Sequence, residues 1–540
     1  MNKYTLIALS ATGGILSGLA WSSWFPGIIL LAAFVPYFLI ENHLYLNPQK
    51  YSLNAFFTFL LPGFVIFNII TLGWVRAANI PAAICVTAEL SFLMSFVLWL
   101  AHTVRVRAGN LAGFTALVSF WMAFEYLSLH SVYLSPWVNL GNGLSKEIPL
   151  IQWYEATGVA GGTLWILLSN IFLAIFIVNS TDRSRFNRLH LMIWLSIIIV
   201  PSVISLLRYY TVDQSESGEN EVVIIQPNID PFTEKYVIPF EEQLSTVVDM
   251  AGQTVTDRTD WVLTPETTVD DPVNEGDLGN NKYISTIRKL ACEYPGINII
   301  SGFVSCRIYS GETRAPTASA RKIDASGSYY DHFNSAFKID TGKQVGIYHK
   351  SKLVPGIEMQ FSAGFGKLID RILPELGGTK WGYGVQEKRT CFEHSSAGQI
   401  AAPIICYESV FGNYVADYVR EGAEALFIIT NDGWWKNTNG YKHHLNYASL
   451  RAIETRRPVA RCANTGVSCI IDIRGKRVQE TKWWTKTVLK GKINFETIVT
   501  PYVRYGDYLF KVSMIISIFM LLYVFIVQPV RKKISVSGSK

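Results

Sequence analysis

Seven apolar runs, each close to the twenty or so residues a helix needs to cross a hydrocarbon core, follow one another through the first two hundred residues. They lie at about 4–21, 25–40, 54–71, 82–101, 111–129, 160–178 and 189–207, and an eighth, about 509–528, precedes the basic ending VRKKISVSGSK. Lipid offers no partner to an exposed backbone N–H or C=O, so such runs are committed to helices. No signal-peptidase pattern interrupts them convincingly, and the N-terminus reads as a first span. The composition agrees, with 49% hydrophobic and only 17% charged residues.

The connecting loops alternate in charge. One set carries Lys3, Lys50, Arg105 with Arg107, Arg183 with Arg185 and Arg188, and Arg531 with Lys532 and Lys533, whereas the short loops of the other set carry little beyond Arg76 and Lys146. By the positive-inside rule the first set is cytoplasmic, which places residues 211–508 on the opposite side. The net charge of +6 is spread in small groups and not in one stripe, so it is read as topology and phospholipid-surface charge; no nucleic-acid partner is expected. Seven cysteines, at 85, 292, 306, 391, 406, 462 and 469, lack the short repeated spacing of a disulfide framework or a zinc site.

After Tyr210 the composition changes. The segment TVDQSESGEN (211–220) reads as a linker, and beyond it short apolar runs alternate with polar helical stretches. VVIIQPNI (222–229), WVLTPE (261–266), NIISGFV (298–304), IAAPIICYE (400–408) and ALFIITND (425–432) read as strands buried on both faces that end in polar residues. This is the pattern of an α/β layered domain, which keeps its chemistry at strand ends.

Three strand-end residues stand out: Glu266 in TPETT, Lys350 in YHKSKLVP and Cys406 in ICYES. Cys406 sits between an apolar strand and the helix-like VFGNYVADYVREG, where a helix N-terminus favours a thiolate. An unperturbed thiol is mostly protonated at neutral pH, so a base (Glu266) and a cation to stabilise anions (Lys350) are both useful beside it. Singly, each has an ordinary alternative: an inert buried thiol, a helix cap, a solvated charge.

The ordered set PET, HKSKLVP and CYES, followed by NDGWW and RAIETRRPVARCANTG, resembles the nitrilase superfamily over about residues 221–497. With the flanking spans, QPNI at 226–229 and PYVRYGD at 501–507, it resembles that superfamily's membrane-embedded branch, the apolipoprotein N-acyltransferase family. In the membrane part the resemblance rests on Glu125, Pro136, Trp137, Gly141, Gln152, Gly158, Gly161 and Gly162. It implies a transmembrane helical bundle of about eight spans with an α-β-β-α sandwich: residues 1–210 a seven-span region, 221–497 an extracytoplasmic catalytic domain, 509–528 a closing span with a basic cytoplasmic tail. It also implies Cys406 as nucleophile, Glu266 as general base and Lys350 as oxyanion-stabilising cation, with Glu358, Tyr407, Glu408 and Asn334 in support. The implied substrates are a phospholipid acyl donor and a diacylated apolipoprotein acceptor in the bacterial inner membrane, with no cofactor and no metal. There are departures. Pro355, Gly356 and Ile357 precede Glu358 where the family usually has Pro-Phe-Gly, Tyr236 stands near a usual tryptophan, and the Gly-rich stretch 361–390, with Trp381 and Tyr383, finds no match.

Two features keep alternatives open. Glu125 within an apolar span is either functional or a hydrogen-bonded structural group, and Trp434 and Trp435 either line a pocket or anchor at an interface. A membrane-tethered nitrilase-type amidase would carry the same triad. A lipid-binding or transport protein would not need it.

Overall fold

The computed structural model describes residues 1–180, 188–213, 219–312, 314–323, 327–342, 344–359 and 382–527, with backbone only at Leu53 and Asn54. Arg183, Arg185, Arg531, Lys532 and Lys533 lie outside the described residues. The chain divides into two compact units, one of residues 1–76, 80–211 and 505–540, the other of 77–79 and 212–504.

Among the described residues, eight helices are long and apolar enough to cross a membrane: Lys3–Trp21, Gly27–Leu46, Ala55–Ala77, Ile80–Ala108, Asn110–His130, Val159–Ser180, Arg188–Thr211 and Tyr508–Ile526. The second is a broken span. A 3₁₀ turn, Gly27–Ile29, runs into Leu30–Ala33, and helix resumes at Val35–Leu46 with Pro36 in its first turn. Proline disfavours helical geometry in the residue before it and lacks an N–H, so the ladder opens here. Side chains of the sixth span close the gap: Asn170 Oδ1 accepts from Phe34 N at 2.8 Å, Asn170 Nδ2 donates to Leu30 O at 2.7 Å, and Ser169 donates to Leu31 O at 2.7 Å. Irregular backbone survives at membrane depth where protein groups satisfy it in this way.

Glu125 belongs to a similar device. Trp121 Nε1 (3.0 Å) and Leu140 N (2.7 Å) donate to its Oε1, and the Thr163 hydroxyl donates to Oε2 at 2.6 Å. The Tyr154 hydroxyl bonds Gly141 O at 2.9 Å, and a Cβ at Gly141 would collide with the Val159 carbonyl. Glu125 thus pins the loop after the fifth span against the sixth, the structural alternative of the two that the sequence left open.

Among the described residues, the second unit holds two sheets. The first is built from β1 (Asn220–Gln226), β2 (Thr259–Leu263), β3 (Val269–Asn274), β4 (Asn298–Tyr309), β5 (Arg321–Ile323), β6 (Ser328–Ile339), β7 (Gly346–His349) and β14 (Thr487–Ile493), in the order β14-β1-β2-β4-β6-β5, with β3 on β4 and β7 on β6. The second runs β13-β12-β11-β10-β9-β8, from β8 (Phe392–Glu393), β9 (Ile400–Ile405), β10 (Ala425–Thr430), β11 (Val459–Ala463), β12 (Cys469–Ile471) and β13 (Arg477–Glu480). β1, β2 and β4 are parallel, as are β9, β10 and β11.

Side chains alternate across a strand, so β1 feeds two cores. Val223 and Ile225 join Val247, Ile284, Ile287 and Ile299 beneath the helices Phe240–Gly252 and Lys282–Glu293. On the inner side Trp261 of β2 meets Phe427 of β10 edge to face at 5.2 Å, and the Cys462 thiol of β11 donates to Ile225 O at 3.2 Å. The helices Gly412–Arg420 and Asn439–Thr455 pack on the second sheet, which completes an α-β-β-α sandwich.

Candidate active site

Glu266, Lys350 and Cys406 follow the ends of β2, β7 and β9, and they converge in one cavity of about 830 Å³, open mouth included. Gly302 in β4 lets the Glu266 backbone approach: a Cβ there would lie 2.6 Å from Glu266 Cα. Lys350, 1% exposed, donates to Glu266 Oε1 at 2.9 Å and to Glu358 Oε1 at 2.8 Å. Asn334, from β6, spans the same two oxygens with its Nδ2, 2.8 Å from each. Asn431 N, at the end of β10, donates to Glu266 Oε2 at 3.2 Å. Glu358 is turned back on its own loop, where Oε2 accepts from Val354 N at 2.8 Å; Gly356, at φ +74°, supplies the left-handed residue that this turn requires. The altered residues before Glu358 therefore leave its carboxylate on Lys350.

Protonation follows from these partners. Burial would raise the Glu266 carboxyl, but the Lys350 charge and hydrogen bonds from Lys350, Asn334 and Cys406 outweigh it and hold the group below its ordinary value. Burial would lower Lys350, but Glu266 and Glu358 raise it well above the usual lysine value. Burial, and then the Glu266 anion, push the Cys406 thiol far up despite Lys350. The resting site is thus a thiol facing a carboxylate base, with an ammonium beside both.

This differs from the thiolate expected of a helix N-terminus, and the local structure gives the reason. Residues Cys406–Val410 form a 3₁₀ turn and the helix begins only at Gly412. The turn is held by Glu408, whose Oε2 accepts from Ile405 N (2.9 Å) and whose Oε1 accepts from Ser351 N (2.7 Å) and from the hydroxyls of Tyr348 and Tyr414 (2.6 Å each). Glu408 therefore ties the Cys406 turn to the Lys350 loop from beneath. Tyr407 is buried with its ring edge-on to Phe411 at 5.1 Å.

Phe232, Tyr236, Ile357, Tyr383, Trp434 and Trp435 line the cavity, which makes both tryptophans part of a largely apolar wall. Trp381 and most of 361–390 lie outside the described residues. Lys235, bonded to Thr267 Oγ1 at 2.6 Å and 3.6 Å from Asp270, adds a second cation to the wall that no motif had signalled.

A buried thiol, carboxylate and ammonium brought into one cavity from three strand ends of a two-sheet sandwich are the groups that a cysteine-based acyl transferase or hydrolase requires. The sequence pattern of the carbon-nitrogen hydrolase family matches residues 225–500, and that of the apolipoprotein N-acyltransferase N-terminal domain matches residues 13–172. An apolipoprotein N-acyltransferase of Chlorobaculum tepidum is 29% identical, with 92% of each chain covered; one of Geobacter metallireducens is 27% identical, over 92% of this chain and 91% of that one. A CN-hydrolase superfamily protein of Xanthomonas campestris, of known structure, is 16% identical with a TM-score of 0.34, over 51% of this chain and 91% of that one. The chain belongs to the carbon-nitrogen hydrolase family, in its membrane-embedded apolipoprotein N-acyltransferase branch.

Proposed function

We propose that this multi-pass membrane enzyme moves a fatty acyl chain from a phospholipid to the N-terminal amine of the diacylglyceryl-cysteine of an apolipoprotein, through a thioester on Cys406. One observation carries the reading: Glu266, Lys350 and Cys406 meet in one largely apolar cavity, on a chain whose described residues include eight helices suited to a bilayer. Each buried CH₂ is worth about 0.8 kcal/mol, so drawing a long acyl chain into water would cost more than about 10 kcal/mol, and the site must be brought to the lipid.

In the first half-reaction Glu266 takes the thiol proton as Sγ bonds to the ester carbonyl carbon. Lys350, with the Tyr407 N–H, stabilises the oxyanion, a contribution of about 3 kcal/mol per donor. The C–O bond breaks, Glu266 protonates the leaving alkoxide, and a lysophospholipid departs. In the second, the acceptor amine attacks the thioester while Glu266 takes its proton, and collapse expels the Cys406 thiolate, which recovers the proton. Asn334 and Glu358 keep Lys350 and Glu266 aligned; Glu408 and Tyr407 hold the nucleophile's turn. Residues 1–210 and 509–528 serve as the membrane anchor for a catalytic domain at 221–497. The apolar wall favours this over a tethered amidase, whose small polar substrates need no such surface.

The test is the covalent intermediate. Purified protein given phospholipid alone is expected to release about one equivalent of lysophospholipid and to carry one acyl mass on the Cys406 peptide, removable by hydroxylamine and discharged by a diacylated lipopeptide as an amide. Continuous release of free fatty acid without an amine would instead make the protein a hydrolase, and amide formation by Cys406→Ala would remove Cys406 from the mechanism.

The catalytic domain is assigned to the outer face because Lys3, Lys50, Arg105 and Arg107 fall on the other set of loops. In a background lacking the exposed Cys85 and Cys292, an impermeant thiol reagent added to spheroplasts is expected to label Gly276→Cys and not Gln49→Cys. The reverse pattern would invert the topology.

A further inference from the structure

One fully buried ionisable cluster outside the mechanism above joins Asp432 in the turn after β10, His444 on the helix Asn439–Thr455, and Arg461 in β11. Arg461 Nη2 donates to Asp432 Oδ2 at 2.7 Å, and Asp432 Oδ1 lies 2.9 Å from His444 Nδ1. At its far side the ring reaches the nucleophile, with His444 Nε2 3.0 Å from the main-chain oxygen of Cys406. The Ser409 hydroxyl donates to the same oxygen at 2.8 Å. Arg461 Nη1 is fixed on Val467 O at 2.8 Å, and the Thr430 hydroxyl approaches Asp432 Oδ1 at 3.2 Å.

Burial opposes ionisation of Asp432, but Arg461 first, and then His444, bring its carboxyl down to about 2, so it is an anion. Asp432 Oδ1 and, at 3.1 Å, Arg461 Nη2 face the ring's Nδ1, while the Cys406 oxygen and, at 2.9 Å, the Ser409 hydroxyl face Nε2. The Ser409 hydrogen is spent on the Cys406 oxygen, which can only accept, so Nε2 is the ring donor that reaches that oxygen, and the ring bridges an anchored anion to the Cys406 peptide.

That peptide needs holding. Cys406 has φ +50°, a left-handed conformation that costs a non-glycine residue about 1–3 kcal/mol and persists only where its surroundings impose it. In a trans peptide the carbonyl and the following N–H point in opposite directions. Two donors on the Cys406 oxygen thus turn the Tyr407 N–H the other way, and a hydrogen bond to the oxygen also polarises that N–H toward being a better donor.

We propose that His444, held by Asp432 and Arg461, is a positioning residue that locks the Cys406–Tyr407 peptide with the Tyr407 N–H aimed at the oxyanion, making it the second donor beside Lys350. This rests on the thioester reading above. Isolated buried ion pairs are seldom favourable for stability alone, which fits a positional role for this one.

The experiment compares single-turnover formation of the acyl-enzyme from phospholipid with alkylation of Cys406 by iodoacetamide, a reaction that builds no oxyanion. His444→Leu is expected to slow acylation about 10²-fold, with the half-saturating phospholipid concentration unchanged and alkylation within about twofold of native, as loss of one oxyanion donor requires. His444→Gln, whose amide nitrogen can stand where Nε2 stands, is expected to recover most of the rate. Native-like acylation by His444→Leu, a parallel fall in alkylation, or a glutamine variant no faster than leucine would each overturn the proposal. Should His444→Leu fail to accumulate, Asp432→Asn against His444→Gln provides the same comparison, with the slower acylation expected in Asp432→Asn and equal rates overturning the idea. A native protein that forms no acyl-enzyme would bring down the thioester reading, and this inference with it.

Discussion

Glu266→Gln is expected to slow acyl-enzyme formation about 10³-fold, within the range set by loss of a general base, while leaving the protein folded and the half-saturating phospholipid concentration unchanged. The substitution is nearly isosteric. A glutamine Oε1 can still accept from Lys350 and Asn334, and Lys350 keeps Glu358 at 2.8 Å, so no buried charge is left alone. What disappears is the capacity to accept the Cys406 proton, and with that thiol pushed far above its ordinary value no thiolate replaces the base. The native enzyme should consequently show no alkaline rise near the pKa of a free thiol, about 8.5, and should lose rate only in acid, where Glu266 protonates. The same carboxyl ties stability to pH. Its folded value lies below its unfolded value, about 4.3, so the stabilisation from its partners is complete above the unfolded value and is lost as pH falls through the folded one. Single-turnover rates and thermal unfolding across acid to neutral pH measure both, and a near-native rate for Glu266→Gln would remove Glu266 as the base.

The parts of this arrangement that could be read in the sequence are those with a one-dimensional signal. Long apolar runs mark the eight helices, and the five apolar strand segments appear as β1, β2, β4, β9 and β10 because parallel strands buried on both faces need unbroken runs. β6 and β7 mix polar and apolar residues, and β13 is exposed throughout, so none of them stands out from loop. The break at Phe34 was hidden because Asn170, 136 residues away, satisfies the opened backbone, although Pro36 was a local clue. The 3₁₀ turn after Cys406 escaped for a related reason: the hydrogen bonds Glu408 receives from Ser351 N, Tyr348 and Tyr414 are tertiary, and only a reading that already had the fold would supply them. Asp432, His444 and Arg461 come from three elements. Their one legible trace was Arg461 inside the apolar stretch PVARCA, since a cation in a buried strand demands a partner. Lys235 lay in a polar loop and carried no such trace.

Lys350→Ala is expected to have the larger effect, because it removes more than an oxyanion donor. The lysine ammonium sits between Oε1 of Glu266 and Oε1 of Glu358, and both oxygens share the Asn334 amide nitrogen. Without the cation Glu266 loses the charge that held it below its ordinary value while burial and a second carboxyl remain, so its ionised form is disfavoured. The base is then compromised together with the oxyanion site. Acylation should fall by about 10⁴-fold or more, combining a lost oxyanion stabiliser with an impaired base. Removing one partner of a buried ion pair costs about 3–5 kcal/mol, so the melting temperature should drop as well, unlike that of Glu266→Gln. The pH dependence separates the two contributions. Loss of Lys350 takes away the charge that kept Glu266 below its ordinary value, so the residual acylation rate of Lys350→Ala should climb as pH rises through the Glu266 titration, over a range where the native rate is flat. Adding Glu358→Gln to Lys350→Ala removes the competing carboxylate and should return that profile toward the native shape without restoring the oxyanion contribution. A Lys350→Ala rate within tenfold of native, or a double variant with the same pH profile as the single one, would show that the ammonium is not the group that sets the charge of this site.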